Sequence, residues 1–286
     1  MISVIIPAYN EASVIERSLE ALVRNARPGE LEVIVVCNGC HDQTASLARH
    51  FGDPVRVIET DVASKSHALN VGDEAASGFP RFYVDADIIL TIEAVRDVAS
   101  MLTDDSSTLA AAPRAIVDYQ NRSRLVQAFY EVWTQLPYFA EGGSGGVYGF
   151  SRAGRARFDK FPDIIADDEY ARLTVGPDRR KCSQRSTFII QPPTTLRGVL
   201  AIMTRAHAGN YELRKRCPEL MRSQNTASVR SAWVIARTPR LWRCAPVYLG
   251  VMSLAKLGAR LKLLCGREKR WNRDETSRSS RERGIA

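Results

Sequence analysis

The sequence predicts an α/β fold, a mostly parallel sheet with flanking helices, followed by a basic helical extension toward the C-terminus. Three observations carry this. Compact apolar runs of strand length alternate with stretches of helical spacing over the first 112 residues. Polar side chains recur where those runs end. Charge is uneven: residues 1–175 hold 16 Lys and Arg against 25 Asp and Glu, while residues 176–286 hold 24 against 7. The formal net charge of +8 is therefore the balance of an acidic body and a strongly basic C-terminal third. Such asymmetry points to an anionic partner.

Ser3 to Pro7 is an apolar run stopped by a turn signal and reads as a buried parallel strand. Between Glu11 and Arg24, residues Val14, Ile15, Leu19, Leu22 and Val23 share one helical face, and Pro28-Gly29 then breaks the chain. Leu31–Val36 is the second strand and Thr44–Phe51 its helix. Val55–Glu59, the helix Lys65–Ala76, and Arg81–Val84 follow, the last ending in Asp85-Ala86-Asp87. Thr91–Leu102 is a further helix and Ser107–Ala112 another strand. Sheets of this kind bind ligands beyond the carboxyl ends of their strands. Tyr9, Asn10, Glu11, Asn38, Asp61, Asp85 and Asp87 stand at those ends and together suggest a ligand cleft.

After residue 113 the alternation fades. Arg122–Leu136 reads as an amphipathic helix carrying Phe129, Tyr130 and Trp133. Glu141 to Gly146 is the stretch with the most backbone freedom. Asp163–Leu173 contains Asp167-Asp168-Glu169 and opens a helix. From Leu196 the pattern is helical with frequent arginines, and from about residue 266 it is polar and reads as disordered. There is no internal repeat.

With 45% hydrophobic and 25% charged residues, wholly disordered, collagen-like and coiled-coil chains are excluded. Six scattered cysteines do not make a disulfide scaffold. The opening Met1–Pro7 lacks the basic start of a secretory signal. The nearest approach to a membrane span, Cys244–Ala255, is short and bracketed by Arg243 and Lys256. Cytoplasmic residence is the simplest expectation.

Asp85 and Asp87 leave a strand end two residues apart and point the same way. Paired hard oxygens of this kind suit Mg2+ or Mn2+, which take their remaining ligands from water and substrate phosphates. A solvated turn is the alternative for any isolated Asp-x-Asp. Its place after an apolar strand in a βαβ series favours the metal.

Six stretches follow one another in a telling order: Val4–Glu11, Val33–Thr44, Lys65-Ser66-His67-Ala68-Leu69-Asn70, Tyr83–Asp87, Gly145–Arg152, and Ala166-Asp167-Asp168-Glu169. This ordered set resembles glycosyltransferase family 2, GT-A-fold enzymes that transfer sugars from nucleotide diphosphates. The resemblance covers residues 1 to about 175 well and thins out by about 215. It implies one domain over 1–215, with a nucleotide- and metal-binding half at 1–112 and an acceptor half at 113–215. A basic helical region with a disordered tail, 216–286, would follow.

The resemblance also implies roles. Pro7, Ala8, Tyr9, Glu11 and Asn38 would meet the nucleotide, with Lys65, Asp85 and Arg205 near the diphosphate. Asp87, Asp85 and His207 would hold Mn2+ or Mg2+. Gly145 and Gly146 would belong to an acceptor-side loop. Asp168 would be the catalytic base and Asp167 would orient acceptor or base; helix-start acids facing the helix dipole are the bland alternative for this pair. Departures are visible. Cys37-Asn38-Gly39-Cys40 stands where the family commonly has Asp-Asp-Gly-Ser, which leaves the base preference open. The family's Gln-x-x-Arg-Trp is replaced near its expected place by Arg205-Ala206-His207-Ala208-Gly209-Asn210.

The expected function is a metal-dependent, inverting transfer of a sugar from a nucleotide-diphosphate sugar to a hydroxyl acceptor. A UDP-sugar is favoured. The acceptor would be a glycan or lipid-linked cell-envelope precursor. A GDP-sugar donor, a retaining mechanism, and a non-catalytic nucleotide-sugar or membrane-binding module are the alternatives. A nicotinamide oxidoreductase is disfavoured because Pro7–Ala12 lacks the Gly-x-Gly-x-x-Gly turn. The Cys37/Cys40 spacing is redox-like, but it lies within the nucleotide-side turn, and a zinc site with His41 lacks a second cysteine pair. In the basic third, Arg interleaved with Trp and Leu suits attachment to an anionic membrane surface on the inner face of the cell membrane. A helical subdomain with a solvated basic face is the alternative. No nucleic-acid motif is present, so no nucleic-acid partner is expected.

Overall fold

A computed structural model describes residues 1–140, 145–220 and 227–265. The glycines at 142 and 143, Arg222, and the polar tail from residue 266 lie outside the described residues. The chain divides into two compact units interleaved in sequence: residues 1–116 with 141–190, and residues 117–140 with 191–286. This division follows packing. The sequence boundaries at 112 and 215 follow the span of the motifs, and stay a proposal about domains.

The first unit is a seven-stranded sheet in the order β3-β2-β1-β4-β6-β5-β7. β1 (Ile2–Ala8), β2 (Leu31–Asn38), β3 (Val55–Thr60) and β4 (Arg81–Val84) are the apolar runs, and they pair in parallel. Their helices are α1 (Ile15–Val23), α2 (Thr44–Arg49) and α3 (Lys65–Ala75), with α4 (Ile92–Asp104) after β4. Val4, Ile5 and Ile6 in β1, and Val33 to Val36 in β2, are all at 0% exposure. Strands covered on both faces need such unbroken apolar runs. α1 buries Ile15, Leu19 and Leu22, one per turn. Ser64 and Thr91 cap α3 and α4, accepting the backbone N–H of His67 and Ala94.

β5 (Ala110–Val117) runs beyond the expected Ser107–Ala112. Two strands were not expected at all. β6 (Val147–Phe150) lies inside the Gly145–Arg152 motif and pairs antiparallel with β4 and β5. β7 (Arg180–Ile190) closes the sheet edge. It buries only Ser183 and Phe188 and is tied to α4 by Ser183 and Ser186 hydroxyls donated to Asp97. Between them lie the short α7 (Arg152–Arg155) and α8 (Asp167–Val175). An aromatic cluster of Tyr83, Phe150, Phe158 and Phe161 fills the core between these elements.

The second unit is helical: α5 (Arg124–Trp133), α6 (Pro137–Ala140), α9 (Leu196–Arg216), α10 (Ala227–Arg237) and α11 (Ala245–Leu264). α11 packs on α9 and α5, with Phe129 of α5 against Tyr248 of α11 at 5.5 Å between ring centroids. Among the described residues, no helix is long and apolar enough to cross a membrane.

Candidate functional site

Because β1, β2 and β4 are parallel, their carboxyl ends share one edge. Pro7 and Ala8 are the buried last two residues of β1, and Asn38 is buried at the end of β2. Beyond β1, Asn10 takes a left-handed conformation, φ 53°, which asparagine tolerates better than most residues. The loops after β1 and β2 are then stitched together. Asn10 Oδ1 accepts the His41 N–H at 2.7 Å, and Thr44 Oγ1 accepts the Glu11 N–H at 2.7 Å. Tyr9 is half-buried and Glu11 buried within this joint.

Both cysteines of the redox-like spacing are free thiols. Cys40 Sγ takes part in the joint: it accepts the Asn10 N–H and donates to Ala8 O, each at 3.3 Å. Hydrogen bonding from Cys37 brings the Cys40 thiol down to about 7, while the same contact and burial push Cys37 up.

At the end of β4 the Asp85 N–H donates to Gly146 O at 2.8 Å, so the chain entering β6 is held beside the carboxylate pair. Lys65, in the first turn of α3, places Nζ 2.8 Å from Asp85 Oδ1 and 3.1 Å from Asp167 Oδ2. Its side chain is 21% exposed and that of Asp167 only 3%. Burial alone would lower the lysine's pKa, but Asp167, Asp85 and Asp168 outweigh it and raise it, so the ammonium is kept. Asp167 is pushed upward by burial against the pull of Lys65. Asp168 is pushed up to about 6, by burial first and then by the charge of Asp167. Asp168 Oδ1 also accepts the Glu169 N–H at 2.8 Å at the start of α8.

Gly145 and Gly146 complete the cluster. They have φ of +70° and +82°, where a side chain is strained. A Cβ on Gly145 would lie 2.5 Å from Asp168 Oδ2, and one on Gly146 would lie 3.7 Å from Asp85 Oδ2. The glycine backbone thus runs along both acidic motifs.

Two supporting residues were not among the sequence-based site residues. Tyr148 OH donates to Asp167 Oδ2 at 3.4 Å, and its ring stacks on Tyr83 at 5.2 Å. Asn70 donates to Phe161 O at 2.9 Å and accepts the Phe161 N–H at 2.8 Å, fixing the backbone that leads into Asp167. Asn70 closes the Lys65–Asn70 motif, so its end position there was the available signal. For Tyr148, the signal was its place two residues after Gly146.

Asp87 sits half-buried in the turn after β4. No group of three His, Cys, Asp or Glu among the described residues could hold a metal ion by itself. Two carboxylates are fewer ligands than Mn2+ or Mg2+ takes, so an ion at Asp85 and Asp87 would need phosphate and water to complete its shell. Arg205 and His207 lie on α9 in the helical unit. His207 is half-buried, stacks on Tyr211, and is held below its ordinary pKa by burial and Lys256.

A lysine-bridged set of aspartates beside the carboxyl ends of parallel strands stands where open α/β sheets bind ligands, and the fold as a whole is of the GT-A type. The chain belongs to glycosyl transferase family 2, whose sequence profile matches residues 3–160. It is similar to glycosyltransferase AglE of Haloferax volcanii, at 38% identity over 91 residues, 30% of this chain and 30% of that protein. Glycosyltransferase AglD of the same organism matches at 29% over 125 residues, 41% of this chain and 20% of that one. The matched part thus spans less than a third of these curated relatives. The fold is shared with mannosyltransferase PcManGT of Pyrobaculum calidifontis, solved with GDP-Man and Mn2+. The TM-score is 0.68 at 20% identity, covering 93% of this chain and 88% of that one. It is shared also with glucosyl-3-phosphoglycerate synthase of Mycobacterium tuberculosis, solved with Mg2+ and UDP. There the TM-score is 0.54 at 20% identity, covering 76% of this chain and 79% of that one.

Proposed function

We propose that the protein is a metal-dependent, inverting glycosyltransferase that moves a sugar from a nucleotide-diphosphate sugar to a hydroxyl acceptor. The observation that carries this reading is the placement of Asp168. It is a half-buried carboxylate with a pKa of about 6, set against Gly145 and beside the Lys65, Asp85 and Asp167 cluster. A base of that pKa is ionised at neutral pH and still basic enough to take a proton in the transition state.

In the proposed reaction, Asp168 accepts the proton of the acceptor hydroxyl. The acceptor oxygen bonds the anomeric carbon as the bond from that carbon to the diphosphate oxygen breaks, and the nucleoside diphosphate leaves. Asp87, supported by Asp85, would hold Mn2+ or Mg2+, which supplies Lewis-acid neutralisation of the leaving diphosphate. Lys65 adds a fixed positive charge next to Asp85. The loop Pro7–Glu11 and Asn38 would seat the nucleotide. Gly145 and Gly146 leave room for an acceptor to approach. The proposal draws on these residues and not on Arg205 or His207.

A UDP-sugar is the favoured donor and a GDP-sugar the alternative; structures sharing the fold carry one or the other nucleotide. The acceptor is proposed to be a glycan or lipid-linked precursor of the cell envelope, met at the inner surface of the cell membrane. The first experiment is a thermal-shift titration of UDP, GDP and NAD with and without Mn2+, followed by donor turnover of the wild type and Asp87→Ala. Metal-dependent stabilisation by UDP, lost with its turnover in the variant, is expected. Turnover unaffected by Asp87→Ala would end the metal assignment. Nucleotide binding with no hydrolysis or transfer would instead favour a binding module. The anomeric configuration of the product, read by NMR, decides inversion against retention.

A further inference from the structure

The polar face of a packed surface helix is usually the one left in water. α11 departs from that rule. Tyr248, Val251, Ala255 and Ala259 are its buried stripe, on the side packed against α9 and α5. Yet Leu254, Leu257, Leu261 and Leu264 are between 53% and 83% exposed. Their spacing of three and four residues puts them on one line along the outer face. At 100° per residue, Lys256 and Arg260 run along one border of that line. On α10 and in the turn after it, Trp233 and Trp242 are 55% and 59% exposed as well. The Arg237 guanidinium lies 4.0 Å from the Trp233 ring centroid, and the Trp242 indole N–H is satisfied by Ile235 O at 3.2 Å.

From Ala227 to Cys265 the chain has seven Lys and Arg and no Asp or Glu. The occupant of the leucine face must therefore be apolar at depth and anionic at its rim. A second copy of this chain would bring like charges together, which disfavours it. Spanning is excluded for α11, since no described helix is long and apolar enough. An anionic phospholipid surface meets both requirements: the leucines enter the acyl boundary while Lys256 and Arg260 remain among the phosphates.

We propose that α11 lies in the headgroup plane of an anionic membrane with the Leu254, Leu257, Leu261 and Leu264 line facing the acyl chains. This deepens the membrane-surface part of the function proposed above, and it can fail while sugar transfer stands. The test is co-sedimentation of the full chain with phosphatidylcholine vesicles, with and without phosphatidylglycerol. Binding should require phosphatidylglycerol and weaken as salt rises. Leu257→Glu with Leu261→Glu should weaken it by about tenfold or more. Lys256→Glu with Arg260→Glu should weaken it by a similar factor, about tenfold, and flatten the salt dependence. Circular dichroism and the nucleotide thermal shift, which should not change, report that each variant is folded and its donor site intact. Equal binding of wild type and the leucine variant, or no preference for anionic lipid, would overturn the proposal. So would a concentration-dependent dimer, by light scattering, that the leucine variant converts to monomer.

Discussion

Gly145 stands so close to Asp168 that a methyl group on its α-carbon would lie 2.5 Å from the carboxylate Oδ2. That is far inside van der Waals contact, and the φ of +70° adds a penalty of its own for any side chain. Gly145→Ala must therefore move the carboxylate, the loop or both. The conformational part alone costs about 1–2 kcal/mol. With Asp168 as the base, the expected result is a fall in kcat of about tenfold or more, since small displacements of a reacting group are costly. The KM for donor should change much less, because the nucleotide would sit at the ends of β1 and β2. A KM effect equal to the kcat effect would point to a general collapse of the loop.

Lys65 is the hinge of the electrostatics, bridging Asp85 and Asp167 through one ammonium group. Lys65→Met keeps the length of the side chain and removes the charge. Two carboxylates then face each other with less compensation, Asp167 almost fully buried. Removing one partner of a buried pair is strongly destabilising, and with Asp85 partly exposed the loss here should be about 1–3 kcal/mol. Lys65 also holds the Asp168 pKa down against burial and Asp167. Without it, the acid limb of the activity profile should move to higher pH. Urea unfolding and a pH–rate profile measure the two effects separately. An acid limb that stays in place would show that Lys65 does not tune the base.

The parallel half of the sheet is legible in the sequence because each strand is covered on both faces. An unbroken run such as Val33–Val36 is the direct imprint of that burial. β7 leaves no such imprint, since an edge strand that buries only a serine and a phenylalanine needs no apolar alternation. β6 is hidden by its own glycines: Gly149 is there because the Phe82 ring of β4 would lie 2.8 Å from its Cβ, not because the chain turns. The acidic motifs, Lys65 and the Gly145-Gly146 pair carry recognisable local patterns. The contact of Tyr148 with Asp167 does not, because it depends on the antiparallel register that sets Tyr148 opposite Tyr83. The interleaving of residues 117–140 with the C-terminal helices has the same cause, being written in the packing of α5 against α11 and not in either segment alone.

Asp168→Asn separates the chemistry of the site from its stability cost. The carboxyl titrates at about 6 in the folded chain against an ordinary value of 3.8. Its folded pKa is raised, so the folded state binds a proton more readily than the unfolded state does. Below the unfolded value both states are protonated and the group has no effect. As pH rises through the folded value, the native state is left holding a charge it disfavours, and stability falls. Asparagine carries no charge at any pH. The variant should therefore be more stable than wild type above about pH 6, by about 1–2 kcal/mol once partial exposure is discounted, and equal to it near pH 4. Donor binding should persist while transfer is lost, because asparagine cannot accept the proton. In the wild type, kcat/KM should rise through about pH 6 and then level off. Urea midpoints at both pH values, with transfer assays alongside, test the assignment: a variant that is less stable at neutral pH, or that still transfers sugar, would remove Asp168 from the role of base.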